Sequence, residues 1–172
     1  MPLVLDGEVV EDLERMNSEL KEPLSLTRLE YGSSIALGAF TERTAMLSEV
    51  RRIYADGERT ASLSWEHVCT TNPDSLSPVA VFWEDAGEQG DSLSLDPGFG
   101  YTDLSQVHRG FLGTQNWNDV ISSLSWCRFD VSLFDAINWT GNEFFAVKGC
   151  NTPDLAPFGW SDEAASIANW GT

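Results

Sequence analysis

A repeated stretch constrains this chain more than any other feature of its sequence. The segment NWNDVISSLSW, residues 116–126, returns in altered form as GWSDEAASIANW, residues 159–170. The aligned positions are Trp117 and Trp160, Asp119 and Asp162, Ser123 and Ser166, and Leu124 and Ile167. Two copies of one pattern indicate a duplicated structural unit, which limits the possible folds before any single residue does.

The alignment also extends upstream of these two stretches. Its further pairs are Trp83 with Phe134, Glu84 with Asp135, Gly90 with Gly141, and Gly98 with Gly149. The first copy has additional residues within SQVHRGFLGTQN, residues 105–116, where the second has only APFG. Because loops absorb changes in length and strands do not, this difference predicts a loop. Short segments with period-two alternation and frequent glycines predict that each copy is a Greek key, and two such units pack as a β-sandwich.

The composition narrows the classes of partner. An apolar fraction of 42% in 172 residues supports a real core, and the formal net charge is -17. Beyond residue 78 the basic residues are only Arg109, Arg128 and Lys148. Such an acidic surface repels phosphate backbones, so we expect no nucleic-acid partner. Since no apolar run approaches about 20 residues, we also expect no insertion into a membrane.

The N-terminal residues lack the basic and apolar regions of a secretory signal. We therefore expect a cytoplasmic or assembly-associated protein rather than a secreted one. Residues 8–22 carry a narrow apolar stripe at helical spacing, made of Val9, Leu13, Met16 and Leu20. This stripe predicts a helix over about 8–22 that needs a surface to pack on, either its own domain or a partner.

Residues 45–65 admit two interpretations. One face of a helix accounts for Met46, Val50 and Ile53, but Asp56-Gly57 is a strong turn signal between alternating segments. We prefer a hairpin over about 47–65. The turn-rich segment TTNPDSLSP, ending at Pro78, then predicts a boundary between an N-terminal docking segment, 1–78, and a second domain, 79–172.

The second domain resembles the βγ-crystallin superfamily over roughly residues 79–171. The resemblance is carried by the hairpin FDAINWTG, with Phe134, Trp139 and Gly141, and by the loop NDVISS. The first hairpin, WEDAGEQG, departs from it with Glu88 where an aromatic residue is usual. The implied fold is mainly β, a two-motif Greek-key sandwich with a small N-terminal α+β extension.

The roles of the repeated residues follow from the chemistry of a folded hairpin. Gly90 and Gly141 are expected where the hairpin needs a positive φ or no Cβ. Ser123 and Ser166 are expected to hydrogen-bond across to the hairpins and close each Greek key. The aromatic residues at 83 and 134 are expected to cover the hairpin corners, and the tryptophans at 117 and 160 to anchor the loops in the core.

The resemblance implies composite calcium sites, each shared between a loop of one motif and the hairpin of the other. Calcium is a hard cation that takes six to eight oxygen ligands. Site one would use the Val120 carbonyl, the Ser122 hydroxyl and Asp135. Site two would use the Glu163 carbonyl with Glu84 or Asp85. It departs from the pattern, because Ala165 lacks the hydroxyl that Ser122 supplies, so we expect a single, asymmetric site.

Two further features bear on stability and catalysis. Cys127 and Cys150 occupy positions whose counterparts in the first copy are apolar, which favours a disulfide between them in an oxidising compartment or two buried thiols in a reducing one. Cys69 has no obvious partner. His67 and His108 have no Cys or His at ligand spacing, so we expect no catalytic residue, no organic cofactor and no enzyme.

These features favour a non-enzymatic structural or interaction module, stabilised by calcium and docked on a larger assembly through residues 1–40. An accessory protein of a virus-like particle would suit that description, and a homo-oligomer is compatible with it. The first alternative is a secreted metalloproteinase inhibitor, since GWSDEAASIANW also resembles small bacterial inhibitors of this fold. A carbohydrate-binding, lectin-like module is a third.

Overall fold

The computed structural model describes residues 2–12, 16, 20–31, 34–55, 72–125 and 127–172. In this part of the chain there is one long helix, α1 (Arg43–Ala55), and the rest is mainly β. The N-terminal strands are β1 (Leu3–Leu5), β2 (Glu8–Val9), β3 (Ser25–Tyr31) and β4 (Ser34–Phe40). The strands of the first copy are β5 (Ala80–Asp85), β6 (Gln89–Leu95), β7 (Gly100–Tyr101), β8 (His108–Arg109), β9 (Gln115–Asn116) and β10 (Ser123–Leu124). Those of the second copy are β11 (Val131–Ala136), β12 (Thr140–Ala146) and β13 (Ser166–Asn169).

The two copies exchange strands. One sheet has the order β10-β5-β6, and Thr152 of the second copy bridges to Leu124 at its side. The facing sheet contains β12-β11-β13, and β7 of the first copy pairs with β13. Each sheet therefore contains chain from both copies, so neither copy folds as a closed unit by itself. The predicted two-motif Greek-key sandwich is confirmed.

The core of the sandwich lies between these sheets. It contains buried apolar residues from both copies, among them Phe82, Leu104, Trp117, Leu133, Phe144 and Trp160. The ring of Phe144 lies 5.4 Å from that of Phe158 and 5.9 Å from that of Trp160, measured between centroids, both in tilted arrangements. Tilted aromatic pairs at such distances stabilise a core beyond the area they bury. The anchoring role predicted for Trp117 and Trp160 is confirmed by their burial.

The N-terminal strands extend the second sheet rather than forming one of their own. Strand β3 runs parallel to β12, and the Leu24 carbonyl accepts from the Glu143 amide at 2.7 Å. The resulting eight-stranded sheet has the order β2-β1-β4-β3-β12-β11-β13-β7. Strands on either side of the predicted boundary near residue 78 therefore share one sheet, and the boundary itself stays a prediction.

Helix α1 covers the outer face of this extended sheet. Its residues Met46 and Val50, one helical turn apart, are buried in a second core with Leu29, Phe40 and Phe145. Neighbouring side chains of a strand point to opposite faces. In β12, Phe144 therefore enters the sandwich core while Phe145 enters the core under α1.

Two predictions about the N-terminal part need correction. The hairpin over about 47–65 is wrong in its first strand, because Arg43–Ala55 is helical and residues 56–65 lie outside the described residues. The buried face of α1 outweighs the alternation on which the hairpin rested. The helix over about 8–22 begins too early, because Glu8–Val9 is a strand paired with β1.

Near the middle of that segment, helical hydrogen bonds are present. The Met16 amide donates to the Asp12 carbonyl at 3.2 Å, and the Leu20 amide donates to the Met16 carbonyl at 3.0 Å. Residues 13–15 and 17–19 of the predicted helix lie outside the described part. Among the residues that are described, no helix has the length and apolar character needed to span a membrane.

Candidate functional site

The two repeated loops are hydrogen-bonded to each other. The Asp119 amide donates to the Ala164 carbonyl at 3.0 Å, and the Asp162 amide donates to the Ile121 carbonyl at 3.0 Å. These four positions are equivalent in the two copies, so the bonds are related by an approximate two-fold axis. Both aspartates have a positive φ, 53° and 60°, a conformation that aspartate tolerates better than most residues. The loops therefore lock the copies together through their backbones.

The serine that ends each loop closes the hairpin of its own copy. Ser123 Oγ donates to the Asp85 carbonyl at 2.7 Å and accepts from the Glu88 amide at 3.1 Å. In the second copy, Ser166 Oγ donates to the Ala136 carbonyl at 2.6 Å and accepts from the Trp139 amide at 3.1 Å. Both serines are fully buried, so each hydroxyl satisfies backbone groups at the hairpin bend that water does not reach. The hydrogen bonds predicted for these two serines are present.

The hairpin bends need their glycines. Gly141 has a φ of +79°, and a Cβ at this position would collide with the Asp135 carboxylate. Gly90 has a φ of +77°, and a Cβ added there would come within 2.8 Å of the Asp85 carboxylate and 3.1 Å of the Glu84 side chain. A carboxylate therefore lies over each bend, where only a hydrogen atom leaves room for it.

The cover of the hairpin corners by Trp83 and Phe134 stays a prediction. Phe134 is buried, and Trp139 lies over Gly100 of β7 and donates from Nε1 to the Ile167 carbonyl at 3.0 Å. In the first copy, the Trp83 indole donates to Ser125 Oγ at 2.8 Å. The position equivalent to Trp139 is Glu88, so the first bend has no aromatic residue there.

Ser122, predicted in site one, links the two loops through side chains. Its hydroxyl donates to the Asp162 carboxylate at 2.9 Å, accepts from Ser161 Oγ at 3.0 Å, and lies 3.4 Å from the Val120 carbonyl. Asp135, the third residue predicted there, accepts from the amide and side chain of Asn142 instead. The structure therefore joins Val120 and Ser122 to Asp162, and the Asp135 carboxylate bonds within its own hairpin.

Glu84, predicted in site two, is already paired with a cation. Its Oε1 lies 2.7 Å from Arg109 Nη1, and its Oε2 accepts from the Asp91 amide at 3.2 Å. The hydrogen bond from Arg109, followed by the one from the Asp91 amide, holds the pKa of the Glu84 carboxyl below its ordinary value. Of the other two predicted ligands, the Asp85 carbonyl accepts a hydrogen bond from Ser123, and Glu163 is exposed.

Solved structures with similar folds were found by comparison. A βγ-crystallin domain from Clostridium beijerinckii is 27% identical, and the match covers 55% of this chain and 99% of that one with a TM-score of 0.43. A βγ-crystallin from Ciona intestinalis is 22% identical, covering 53% and 98%, with a TM-score of 0.41. The N-terminal domain of protein S is 24% identical, covering 52% and 92%, with a TM-score of 0.40. No family model matches the sequence, and a comparison with curated proteins finds no match.

The strand exchange, the paired loops and the serine closures described above decide the fold within the chain itself. The two copies together form a βγ-crystallin-like domain. The predicted resemblance is thereby confirmed, and so is the mainly β fold class.

The βγ-crystallin-like domain offers unequal oxygen donors at its two predicted calcium sites. The described residues contain no group of three or more His, Cys, Asp and Glu side chains that could hold a metal ion. At site one, a carbonyl, a hydroxyl and the Asp162 carboxylate adjoin, and this donor chemistry suits a hard cation. At site two, the carboxylate of Glu84 is bound by Arg109, so the residues present do not fit a second cation.

The predicted disulfide between Cys127 and Cys150 is wrong. Cys127 is a free thiol, whereas Cys150 is disulfide-bonded. Cys127 is buried in the sandwich core, and this burial raises the pKa of its thiol to about 12. At neutral pH the group is therefore a neutral thiol with little reactivity. Cys69 lies outside the described residues.

The segment that only the first copy carries is a small projecting hairpin, residues 108–116, which we call the finger. Strands β8 and β9 pair within it, and Phe111 and Leu112 at its tip are 88% and 81% exposed. Leu112 has a φ of 64°, a conformation that leucine rarely adopts. His108 is exposed on the finger.

Arg109 is the functional residue that sequence reasoning missed. It was recognisable only as a basic side chain in an acidic half of the chain, within a segment that the second copy lacks. A second signal was Asp91, which puts a further carboxylate where the second copy has Asn142. Together these signals indicate a charge in the first hairpin that needs a counter-charge.

Proposed function

We propose that this chain is a non-enzymatic structural and interaction module that docks on a larger protein assembly through residues 1–40. The observation that carries the structural part is the use of polar groups in the repeated motifs. The side chains of Ser122, Ser123 and Ser166 tie backbone and loops together, and the hairpin carboxylates of Glu84 and Asp135 are bonded within their own copies. Because these side chains bond to other groups of the same chain, their role in the proposal is to stabilise the fold.

The N-terminal end of the eight-stranded sheet supports the docking part. The outermost strand there is β2, and Val9 on it is 66% exposed. An open edge strand offers backbone donors and acceptors to a strand of another chain. The rest of the predicted apolar stripe has a different use, because Met16 and Leu20 line a cavity of about 450 Å³ with Leu3 and Leu26 of the same chain. The docking surface is therefore narrower than the whole stripe.

The docking proposal is tested with tagged full-length chain in an extract of the organism that encodes it. Val9→Lys places a charge on the open edge, while Phe99→Lys changes another exposed apolar residue far from it in sequence. Light scattering after size exclusion should show the wild type and Phe99→Lys in a complex much heavier than 19.0 kDa, and Val9→Lys as the free chain. A wild type that runs free, or Val9→Lys retained in the complex, contradicts the proposal.

Calcium is proposed to bind at site one, with Val120, Ser122 and Asp162 as the donors supplied by this chain. Titration calorimetry of the full-length protein with calcium chloride should give one site per chain. Chelation with EDTA should lower the melting temperature, and Ser122→Ala should weaken binding by about tenfold, corresponding to the loss of one oxygen ligand. Absence of both heat and a melting shift contradicts calcium binding and leaves the structural role standing.

The finger favours one alternative, a metalloproteinase inhibitor. Its tip presents Phe111 and Leu112 on a paired hairpin, and a rigid exposed loop loses little entropy on entering a cleft. Assays against a panel of metalloproteinases distinguish the two functions. Nanomolar inhibition that the double variant Phe111→Ser, Leu112→Ser abolishes would favour the inhibitor, and no inhibition by the wild type would exclude it for that panel.

A further inference from the structure

The two hairpin bends have the same backbone geometry but different charges. In each copy a carboxylate accepts from the backbone amide seven residues later, Glu84 from Asp91 at 3.2 Å and Asp135 from Asn142 at 2.8 Å. The residue that donates this amide is an acid in the first copy and a neutral amide in the second. The copies therefore provide an internal comparison of one bend with and without a second carboxylate.

The second bend needs no cation. Asn142 Nδ2 donates to the Asp135 carboxylate at 2.6 Å, and its Oδ1 accepts from the Leu24 amide at 2.8 Å. The Asn142 side chain thus satisfies the carboxylate beside it and joins the bend to the N-terminal extension. A neutral donor is sufficient where only one charge is present.

The first bend holds two negative charges and does need one. Asp91 has no side-chain donor to offer Glu84, and two neighbouring carboxylates repel each other. Arg109 lies between them, with Nη1 2.7 Å from Glu84 and 3.8 Å from Asp91. In the second copy, Asn142 donates a hydrogen bond to the carboxylate and adds no charge. In the first copy, the Arg109 guanidinium donates the corresponding hydrogen bond to Glu84 and neutralises the additional charge of Asp91.

The finger holds Arg109 in this position. Its Nε donates to the Asn116 carbonyl at 2.9 Å across the finger, and its guanidinium carbon lies 5.7 Å from the centroid of the buried Trp117 ring. The side chain is only 12% exposed. An arginine fixed on three sides in this way acts as a permanently bound cation, since its guanidinium does not lose its proton at any physiological pH.

We propose that Arg109 is a built-in counter-cation of the first hairpin and stands where a divalent cation would otherwise be needed. The finger thereby has a role apart from its exposed tip, because it supplies the cation of the first hairpin. The first hairpin closes without calcium, so any calcium dependence of the wild type belongs to site one. The proposal does not depend on whether site one binds calcium.

The test is made by thermal melting and calorimetry of the full-length chain with EDTA or with calcium chloride. Arg109→Met keeps an apolar stem over Trp117 and removes the charge. In EDTA it should melt lower than the wild type by about 3–6 °C, which is the size of shift that losing a part-buried ion pair gives in a chain of this length. Calcium chloride should raise the melting temperature of Arg109→Met back to that of the wild type. Calorimetry should find that the variant binds one more calcium ion per chain than the wild type.

Two further variants keep the proposal falsifiable if Arg109→Met folds poorly. The double variant Arg109→Met, Asp91→Asn copies the neutral arrangement of the second bend, so it should regain most of the melting temperature without calcium. Asn142→Asp places two carboxylates in the second bend with no arginine, so it should melt lower in EDTA and recover with calcium. Arg109→Met melting like the wild type in EDTA would overturn the proposal. So would variants that bind no additional calcium.

Discussion

The hydroxyl of Ser122 shows at the level of one residue how the two loops differ. It donates to Asp162 of the other loop, whereas the equivalent position, Ala165, offers Asp119 no hydroxyl. Asp119 accepts instead from its neighbour Asn118 at 2.7 Å. Among the described residues, the Asp162 carboxylate is thus bonded to the other copy, and the Asp119 carboxylate is bonded within its own loop.

Exchanging the two residues measures what that hydroxyl contributes. Ser122→Ala should lower the free energy of unfolding by about 1 kcal/mol, because a hydrogen bond to a charged acceptor is lost in a nearly buried place. Ala165→Ser should raise it by a few tenths of a kcal/mol to about 1 kcal/mol, since it introduces the same bond to Asp119. Urea unfolding in EDTA measures both values without a contribution from calcium. Equal stability of the wild type and Ser122→Ala would contradict the linking role.

The sequence identified Ser122 as an oxygen donor but not the carboxylate that it meets. Its place in NDVISS is readable from the repeat, and so is its absence in the second copy. The choice between Asp135 and Asp162 depends on which part of the other copy lies opposite, and this is set by the strand exchange. Residue types at a fixed spacing carry no information about such a contact.

At the level of elements, the hairpin bends depend on the space above their glycines. Gly141 and Gly87 have nearly the same φ, 79° and 76°. A Cβ at Gly141 would collide with Asp135, whereas a Cβ at Gly87 meets no atom within 4 Å. The two positions therefore separate the conformational cost of a side chain from its steric cost.

Alanine at these two glycines should have very different effects. In Gly87→Ala the only cost is that of the positive φ, so the variant should lower the free energy of unfolding by about 1 kcal/mol. Gly141→Ala must also displace the Asp135 carboxylate from the Asn142 amide, which should bring the loss to about 3 kcal/mol. Denaturant unfolding of the two variants checks the difference. Equal losses would mean that the carboxylate over the bend is not fixed there.

Helix α1 is the element that the sequence concealed. Met46, Val50 and Ile53 have helical spacing, but the turn signal of Asp56-Gly57 and a few alternating residues favoured a hairpin. The signal that decides between them lies far along the chain, in the run NEFFA, residues 142–146 of β12. Its first-copy counterpart, DSLSL, alternates because one face is exposed, whereas Phe145 is apolar because α1 covers the outer face. Only a comparison of the two copies makes that difference visible.

At the level of the whole molecule, one buried glutamate bonds to both the N-terminal extension and the βγ-crystallin-like domain, in addition to the pairing of β3 with β12. Glu143 accepts from Ser132 Oγ at 2.6 Å and from Ser25 Oγ at 3.2 Å, and its carboxylate lies 3.0 Å from Nε of Arg43 on α1. The Arg43 guanidinium also lies 4.9 Å from the Trp170 ring. A carboxylate buried at this join bonds to β3, β11 and α1 together.

Glu143→Gln keeps the shape of the side chain and removes the charge at the join. It should destabilise by about 1–3 kcal/mol, because a buried charge-assisted bond to Arg43 is lost and an acceptor becomes a donor. Asp74→Asn serves as the control, since its exposed pair with Arg128, at 3.7 Å, should contribute less than about 0.5 kcal/mol. Urea unfolding followed by tryptophan fluorescence measures both. A loss for Glu143→Gln no larger than the control would contradict the role of the join.

The sandwich was predictable from the repeat, but the continuation of its sheet was not. A duplication with aligned glycines and serines specifies two Greek keys that close on each other. The pairing of β3 with β12 brings together residues more than a hundred positions apart, Leu24 and Asn142 among them. Neither the sequence of β3 nor that of β12 predicts which strand it pairs with. The pairing of β3 with β12 is therefore set by tertiary packing.

The central claim is that the paired loops make the two Greek keys one cooperative unit. Hydrogen exchange of the backbone amides of Asp119 and Asp162, followed by NMR under native conditions, tests it most directly. Both side chains are exposed, but their amides bond to carbonyls of the opposite loop. If the loops hold the fold together, both amides exchange only through global unfolding, with the same free energy as core amides of β11. Exchange as fast as that of the finger tip would contradict the claim.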